Sequence, residues 1–86
     1  MPTICYFYGI AIQMFWNDHA PPHFHALYGE DEAIIAIETL RVSRGSLPRR
    51  ALVLVLEWAE NHQAELMENW ELCRRHQMPR QILPLT

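Results

Sequence analysis

The chain contains no lysine, so all seven of its fixed positive side chains are arginines. Arginine pairs with carboxylate or phosphate through a planar fork of donors. The formal charge of −3 excludes a generally basic protein that coats nucleic acid. Four of the seven arginines nevertheless fall within ten positions, residues 41–50, which concentrates positive charge in one part of the chain.

Cysteine is scarce as well, because Cys5 and Cys73 are the only two and lie far apart. This excludes a disulfide framework and favours buried thiols in a reducing compartment. The longest apolar run, residues 51–56, is too short to span a bilayer, and the first residues lack the charged segment of a secretory signal. We therefore expect a cytoplasmic protein with no membrane contact. Glycine-rich phosphate loops, Gly-x-Ser-x-Gly and Cys/His nucleophile patterns are also absent.

A chain of 86 residues predicts a single domain over residues 1–86. The first half is rich in alternating apolar and β-branched residues separated by short turns, which favours antiparallel strands. From Pro48 onward apolar residues recur at helical spacing, with an interruption at residues 61–63. The predicted fold is α+β: an antiparallel meander of about four strands, with two C-terminal helices or one kinked helix packed on one face.

The most informative segment is Asp-His-Ala-Pro-Pro-His-Phe-His, residues 18–25. It holds three of the five histidines behind a carboxylate, around a Pro-Pro step that restricts the backbone. Residues 23–28 are predicted to form a strand, in which side chains alternate between faces. If Phe24 faces the core, then His23 and His25 point outward together, and their rings converge on one ligand.

Three interpretations of this segment stay open. Asp18, His19, His23 and His25 form a candidate metal site, with Zn²⁺ as the expected ion, since catalytic zinc often has three protein ligands and an open position. Alternatively, His19, His23 and His25 are catalytic residues that transfer protons without a metal. In the third interpretation the histidines have structural or partner-contact roles.

A candidate anion site lies near the predicted helix start. Arg49 and Arg50 follow Pro48, and Arg44 lies in the segment before it. A helix N-terminus with free N–H groups attracts anions, and neighbouring arginines strengthen that attraction. In the alternative interpretation these side chains extend into solvent or pair with glutamates.

The chain resembles the domain of unknown function 4160 family of small bacterial proteins. The central Asn-Asp-His-Ala-Pro-Pro-His-Phe-His motif is the most specific part of the resemblance. The matching segments are residues 1–4, 7–10, 17–25, 28–30, 47–48, 57–58, 65–66, 69–70 and 82–85. The chain departs from the family pattern at Leu40, where a turn glycine is usual. It departs again at Arg80-Gln81, where a lysine often precedes the final motif.

The resemblance implies an intracellular bacterial protein, a protein partner and a suggested toxin–antitoxin role, with a nucleic-acid target, RNA or DNA, as an open question. The leading hypothesis is therefore an interaction component of a two-gene module that binds a small protein partner through the motif face. The alternative is a small metal- or histidine-dependent hydrolase, an RNase being one case. A third hypothesis is a structural homodimer that joins through the open strand face.

Overall fold

The computed structural model describes residues 3–86, so Met1 and Pro2, which begin the resembling segments, lie outside it. Five strands are followed by two helices: β1 (Thr3–Phe7), β2 (Ile10–Gln13), β3 (His23–Tyr28), β4 (Asp31–Ala36), β5 (Val42–Gly45), α1 (Arg49–Glu60) and α2 (Gln63–Arg74). The predicted α+β class, antiparallel meander and two C-terminal helices are confirmed. The expected strand count of about four is one too low. The sequence suggests a short strand at residues 40–43 and a break at residues 44–46, whereas β5 extends through Gly45.

The strands pair antiparallel in the order β1-β2-β3-β4-β5, each with its chain neighbour. Tight turns explain this meander. Tyr8 and Gly9 join β1 to β2 with φ angles of 50° and 80°, as a two-residue type I′ turn requires. Gly29 and Glu30 join β3 to β4, and Gly29 has a φ of 58°. Leu40, in the turn before β5, also has a φ of 58°, a conformation that glycine adopts more easily than leucine.

One face of the sheet and the inner sides of both helices form a single apolar cluster. Phe24, Ala26 and Ile35 are fully buried there. The Phe24 ring meets the Trp58 ring of α1 edge-on, with centroids 6.2 Å apart. The opposite face of the sheet, here called the open face, points away from this cluster, and the alternation of β3 turns His23 and His25 toward it.

The helices divide where the sequence predicts an interruption. Pro48 immediately precedes α1, and residues 61–62 separate the two helices. The last residues then pack back on the domain. Ile82 N–H donates to the Ile4 carbonyl (2.9 Å), and Trp58 Nε1–H donates to the Leu83 carbonyl (2.8 Å). These contacts tie the C-terminal segment to both β1 and α1.

Cys5 and Cys73 are free, buried thiols, and burial raises the pKa of both. Within residues 3–86, no helix is both long enough and apolar enough to cross a membrane.

Candidate metal centre

The loop between β2 and β3 carries Asp18 across the open face of the sheet. This loop is held from the side by the segment that follows α2. Trp16 Nε1–H donates to the Gln77 carbonyl (3.1 Å), and the Trp16 ring stacks on His76 with centroids 5.6 Å apart. His76 Nε2 also lies 2.6 Å from Asn17 Oδ1. Asp18 is therefore positioned by contacts with residues nearly sixty positions away.

The two histidines of β3 stand on the same side of the sheet because they are two residues apart on one strand. The rings of His23 and His25 have centroids 5.3 Å apart. Their side chains are 12% exposed, while Phe24 between them is fully buried on the other face. The imidazoles are thus largely enclosed yet reachable from solvent.

Both imidazoles point at one carboxylate oxygen. His23 Nε2 lies 2.9 Å from Asp18 Oδ2, and His25 Nε2 lies 3.0 Å from the same atom. The backbone N–H of His19 donates to Asp18 Oδ1 (3.0 Å), which fixes the orientation of the carboxylate. We call Asp18, His23 and His25 the Asp–His–His group.

The outer nitrogen of each ring also faces an acceptor. His23 Nδ1 lies 2.8 Å from the Pro21 carbonyl oxygen, and His25 Nδ1 lies 2.9 Å from Glu32 Oε2. A neutral imidazole has only one N–H. When Asp18 and Glu32 are ionised, each ring therefore needs more than its one N–H to match both acceptors. A second proton on Nε2 meets this need, and so does a cation bound at Nε2.

The Asp18 carboxyl responds to this environment. Partial burial acts to raise its pKa, but hydrogen bonds from His25 and the His19 backbone outweigh burial, together with the charge and hydrogen bond of His23. The net effect lowers the pKa of Asp18 below its ordinary value. The carboxyl is therefore ionised at neutral pH, as a metal ligand must be.

The three facing atoms fit a metal-ligand set. They lie within 4.8 Å of one another, and within residues 3–86 no other group of three or more His, Cys, Asp or Glu is arranged in this way. Tetrahedral zinc ligands stand about 3.3 Å apart, so an ion would be admitted by small movements of these side chains. Two histidines with one carboxylate suit zinc and also non-haem iron(II).

A pocket of about 350 Å³ opens onto the Asp–His–His group, and we call it the histidine pocket. Its wall includes His19, Ile34, Ser43 and Arg44. Aromatic rings support the imidazoles from outside it: Phe15 meets His25 edge-on at 4.6 Å, and Trp70 of α2 lies 5.1 Å from His23. A larger groove of about 530 Å³ on the outer side of α2 contains no histidine or cysteine, so volume alone does not identify the site.

The sequence-predicted residues separate into three places. Asp18, His23 and His25 meet, whereas His19 is exposed and lines the histidine pocket outside the ligand group. Arg44, on β5, lines the same pocket. Arg49 and Arg50 begin α1, and Arg50 lines a different pocket, between α1 and the tips of the two hairpins. The three arginines therefore do not share a pocket.

Glu32 is the site residue that sequence reasoning missed. Leu27 and Glu32 are register partners, so Glu32 stands diagonally from His25 on the same face. The sequence contains a signal that predicts this neighbour. A two-residue turn at Gly29 and Glu30 sets the register of the hairpin and so pairs Leu27 with Glu32.

Comparison with known proteins gives a family but no activity. The model of a family described as Domain of unknown function (DUF4160) matches residues 9–71, which include the whole Asp–His–His group and Glu32. No curated protein and no solved structure matches the chain.

Proposed function

The chain belongs to the DUF4160 family of domains of unknown function, and from the geometry of its own site we propose that it is a divalent-metal-dependent hydrolase built on Asp18, His23 and His25. The proposal rests on the hydrogen-bond partners of the His23 and His25 rings. All four ring nitrogens face oxygen acceptors. One divalent cation bound to both Nε2 atoms would supply the positive charge that faces Asp18. Each ring would then keep its proton on Nδ1 and donate it to the Pro21 carbonyl or to Glu32.

The outer contacts follow the pattern of known metal centres. A metal-bound histidine usually donates its second ring N–H to a carboxylate or a backbone carbonyl, which fixes the tautomer and the ring orientation. His25 has Glu32 in this role, and His23 has the Pro21 carbonyl.

Catalysis is favoured over a structural ion because the protein supplies only three ligands. Structural zinc sites are closed by four protein ligands, whereas catalytic sites keep a position for water or substrate. Here Asp18, His23 and His25 all line the histidine pocket, of about 350 Å³, so an ion held by them would be reachable by water or substrate. A bound ion of this kind lowers the pKa of a coordinated water and so supplies a nucleophile near neutral pH.

His19 has a different proposed role from its neighbours. Its exposed side chain lines the pocket but is not part of the ligand group. It is therefore available to transfer a proton at the mouth of the site, in line with its prediction as a catalytic residue.

Metal titration tests the proposal. Untagged, chelator-treated protein is titrated with Zn²⁺, Co²⁺ and Fe²⁺, and Co²⁺ reports its coordination by absorption. We expect one ion per chain, a strong loss of affinity in His23→Ala, and near-normal affinity in the matched control His19→Ala. Equal losses in both variants would require a four-ligand site. No stoichiometric binding of any of the three ions would overturn the proposal.

A second candidate function is binding of a small protein partner through the open face of the sheet. The observation that favours it is exposed apolar surface on this face of the sheet: Tyr6 is 64% exposed, and Leu27 and Ile34 are only partly buried. Tyr6→Glu should abolish such binding without changing metal affinity. Chemical-shift changes that map to the helices instead of this face would contradict this candidate.

A further inference from the structure

We propose that the substrate of the metal-loaded histidine pocket is a phosphate ester, whose phosphoryl oxygens bind Arg44. This inference depends on the proposed metal site and names the class of molecule that the site takes. It separates Arg44 from the other arginines near the start of α1, because Arg44 alone among Arg44, Arg49 and Arg50 lines the histidine pocket.

Sheet register places Arg44 beside the ligand group. His25 pairs with Ile34, and Ile34 pairs with Arg44, so all three stand in one row across β3, β4 and β5. Two strand spacings separate His25 from Arg44 by about 10 Å at their backbones. A cation held by the Asp–His–His group would therefore face Arg44 across one small pocket, with Ile34 between them in its lining.

The Arg44 guanidinium has no acidic partner within residues 3–86. The ion pairs there use His23, His25, His62 and Arg74 as the positive groups, and Arg44 is in none of them. An unpaired guanidinium offers its planar fork to an oxyanion. Phosphate is the best fit because it has enough non-bridging oxygens to contact a metal ion and an arginine at once.

Anion binding is expected to depend on the metal. Without an ion, both imidazoles face the carboxylate of Asp18, and His25 also faces Glu32, so Arg44 is the charged contact that remains for an anion in the pocket. A divalent ion adds a second electrophilic contact for the oxyanion. By linkage, phosphate must then also strengthen binding of the metal by the same factor.

The reaction itself is ordinary hydrolysis. The oxygen of water forms a bond to phosphorus while the bond from phosphorus to the ester oxygen breaks, and the electron pair of that bond stays on the leaving oxygen. One proton of water ends on the leaving group, for which His19 is the proposed donor, and the other stays on the oxygen now bonded to phosphorus until the product exchanges protons with solvent. No oxidant or further reactant is needed.

Inorganic phosphate and chromogenic esters are the probes for this inference. Phosphate should perturb the visible spectrum of the Co²⁺-loaded protein but should not bind the metal-free protein. The metal-loaded protein should hydrolyse p-nitrophenyl phosphate or bis(p-nitrophenyl) phosphate. Arg44→Gln should weaken phosphate binding by on the order of tenfold to a hundredfold, as loss of a charged hydrogen bond does. Arg41→Gln removes an equal charge from an exposed position outside the pocket and serves as the control.

The outcomes separate the two proposals. If the protein binds metal and cleaves the neutral ester p-nitrophenyl acetate, but phosphate leaves the spectrum unchanged, the hydrolase stands and the phosphate inference is wrong. Equal effects of Arg44→Gln and Arg41→Gln on phosphate binding would also overturn the inference, since they indicate only general surface charge. Failure to bind metal removes both proposals.

Discussion

Glu32 provides the most specific test of the metal centre, because it touches the site only through His25. Its Oε2 atom lies 2.9 Å from His25 Nδ1, and its side chain is 49% exposed. Glu32→Ala removes this acceptor and leaves all three proposed ligands in place. The His25 ring then loses both its fixed orientation and the carboxylate that makes Nε2 a better donor to a metal.

The expected size of the effect follows from the exposure of Glu32. Outer-shell partners of metal-bound histidines typically contribute 10–100-fold in affinity, roughly 1.4–2.8 kcal/mol. Because water screens half of the Glu32 side chain, we expect about tenfold weaker metal binding, the lower end of this range. Glu32→Gln keeps an acceptor oxygen but loses the charge, so its affinity should lie between those of Glu32→Ala and the wild type.

The assay is competition for Zn²⁺ with a chromophoric chelator at pH 7.5. Glu30→Ala is the matched control, since Glu30 is an exposed carboxylate in the adjoining turn and does not contact His25. A Glu32→Ala variant that binds as tightly as the wild type would refute the role of Glu32 as an outer partner. So would equal weakening in Glu30→Ala, which indicates only a change of net charge.

Three further predictions concern stability, measured by urea unfolding of metal-free protein. A Cβ at Gly45 would lie 2.1 Å from the Glu32 carbonyl oxygen, so Gly45→Ala should lower the free energy of unfolding by on the order of 3 kcal/mol or more. Gly29→Ala is the control, with an expected loss of about 1–2 kcal/mol, because nothing lies within 4 Å of a Cβ there. Equal losses in the two variants would contradict this reasoning. Because the pKa of Asp18 is lower in the folded chain than in the unfolded chain, its ionised form contributes stability that is complete above the ordinary pKa of about 3.9 and is lost as pH falls through the folded value. In Asp18→Asn, the free energy of unfolding should therefore fall less steeply with decreasing pH. An unchanged slope of this free energy below pH 4 would count against the prediction. The buried Asn69 amide donates to the Arg80 carbonyl and accepts from the Arg80 backbone N–H. Asn69→Ala should therefore lower the free energy of unfolding by about 2–4 kcal/mol. A loss under about 1 kcal/mol would indicate that water replaces the amide.

The helices and most strands follow from local pattern. Apolar residues at helical spacing after Pro48 predict both helices, because a helix that buries one side needs that spacing wherever it packs. The break at residues 61–62 follows from the loss of that pattern. β5 is predicted only in part: the sequence suggests a strand at residues 40–43, but all four residues of β5 are exposed, so no alternation marks its bounds. Its pairing with β4 supplies the hydrogen bonds instead.

The candidate site is likewise predictable from local sequence pattern only in part. His23 and His25 share a face in any strand that contains them, since successive side chains alternate by backbone geometry. The sequence therefore determines that these two imidazoles stand together, as well as the fold class and the order of its elements. It does not separate His19 from the ligand group, because the path of the loop depends on contacts between Trp16 and the distant segment that follows α2.

Only the tertiary structure decides which other groups reach the imidazoles. Glu32 approaches His25 through the register of one hairpin, and Arg44 reaches the same pocket because β5 pairs with β4. Arg50 follows within a few positions along the chain yet lines another pocket, between α1 and the hairpin tips. Periodicity within one segment is set by covalent geometry, whereas neighbours in space depend on strand pairing and packing across the whole chain.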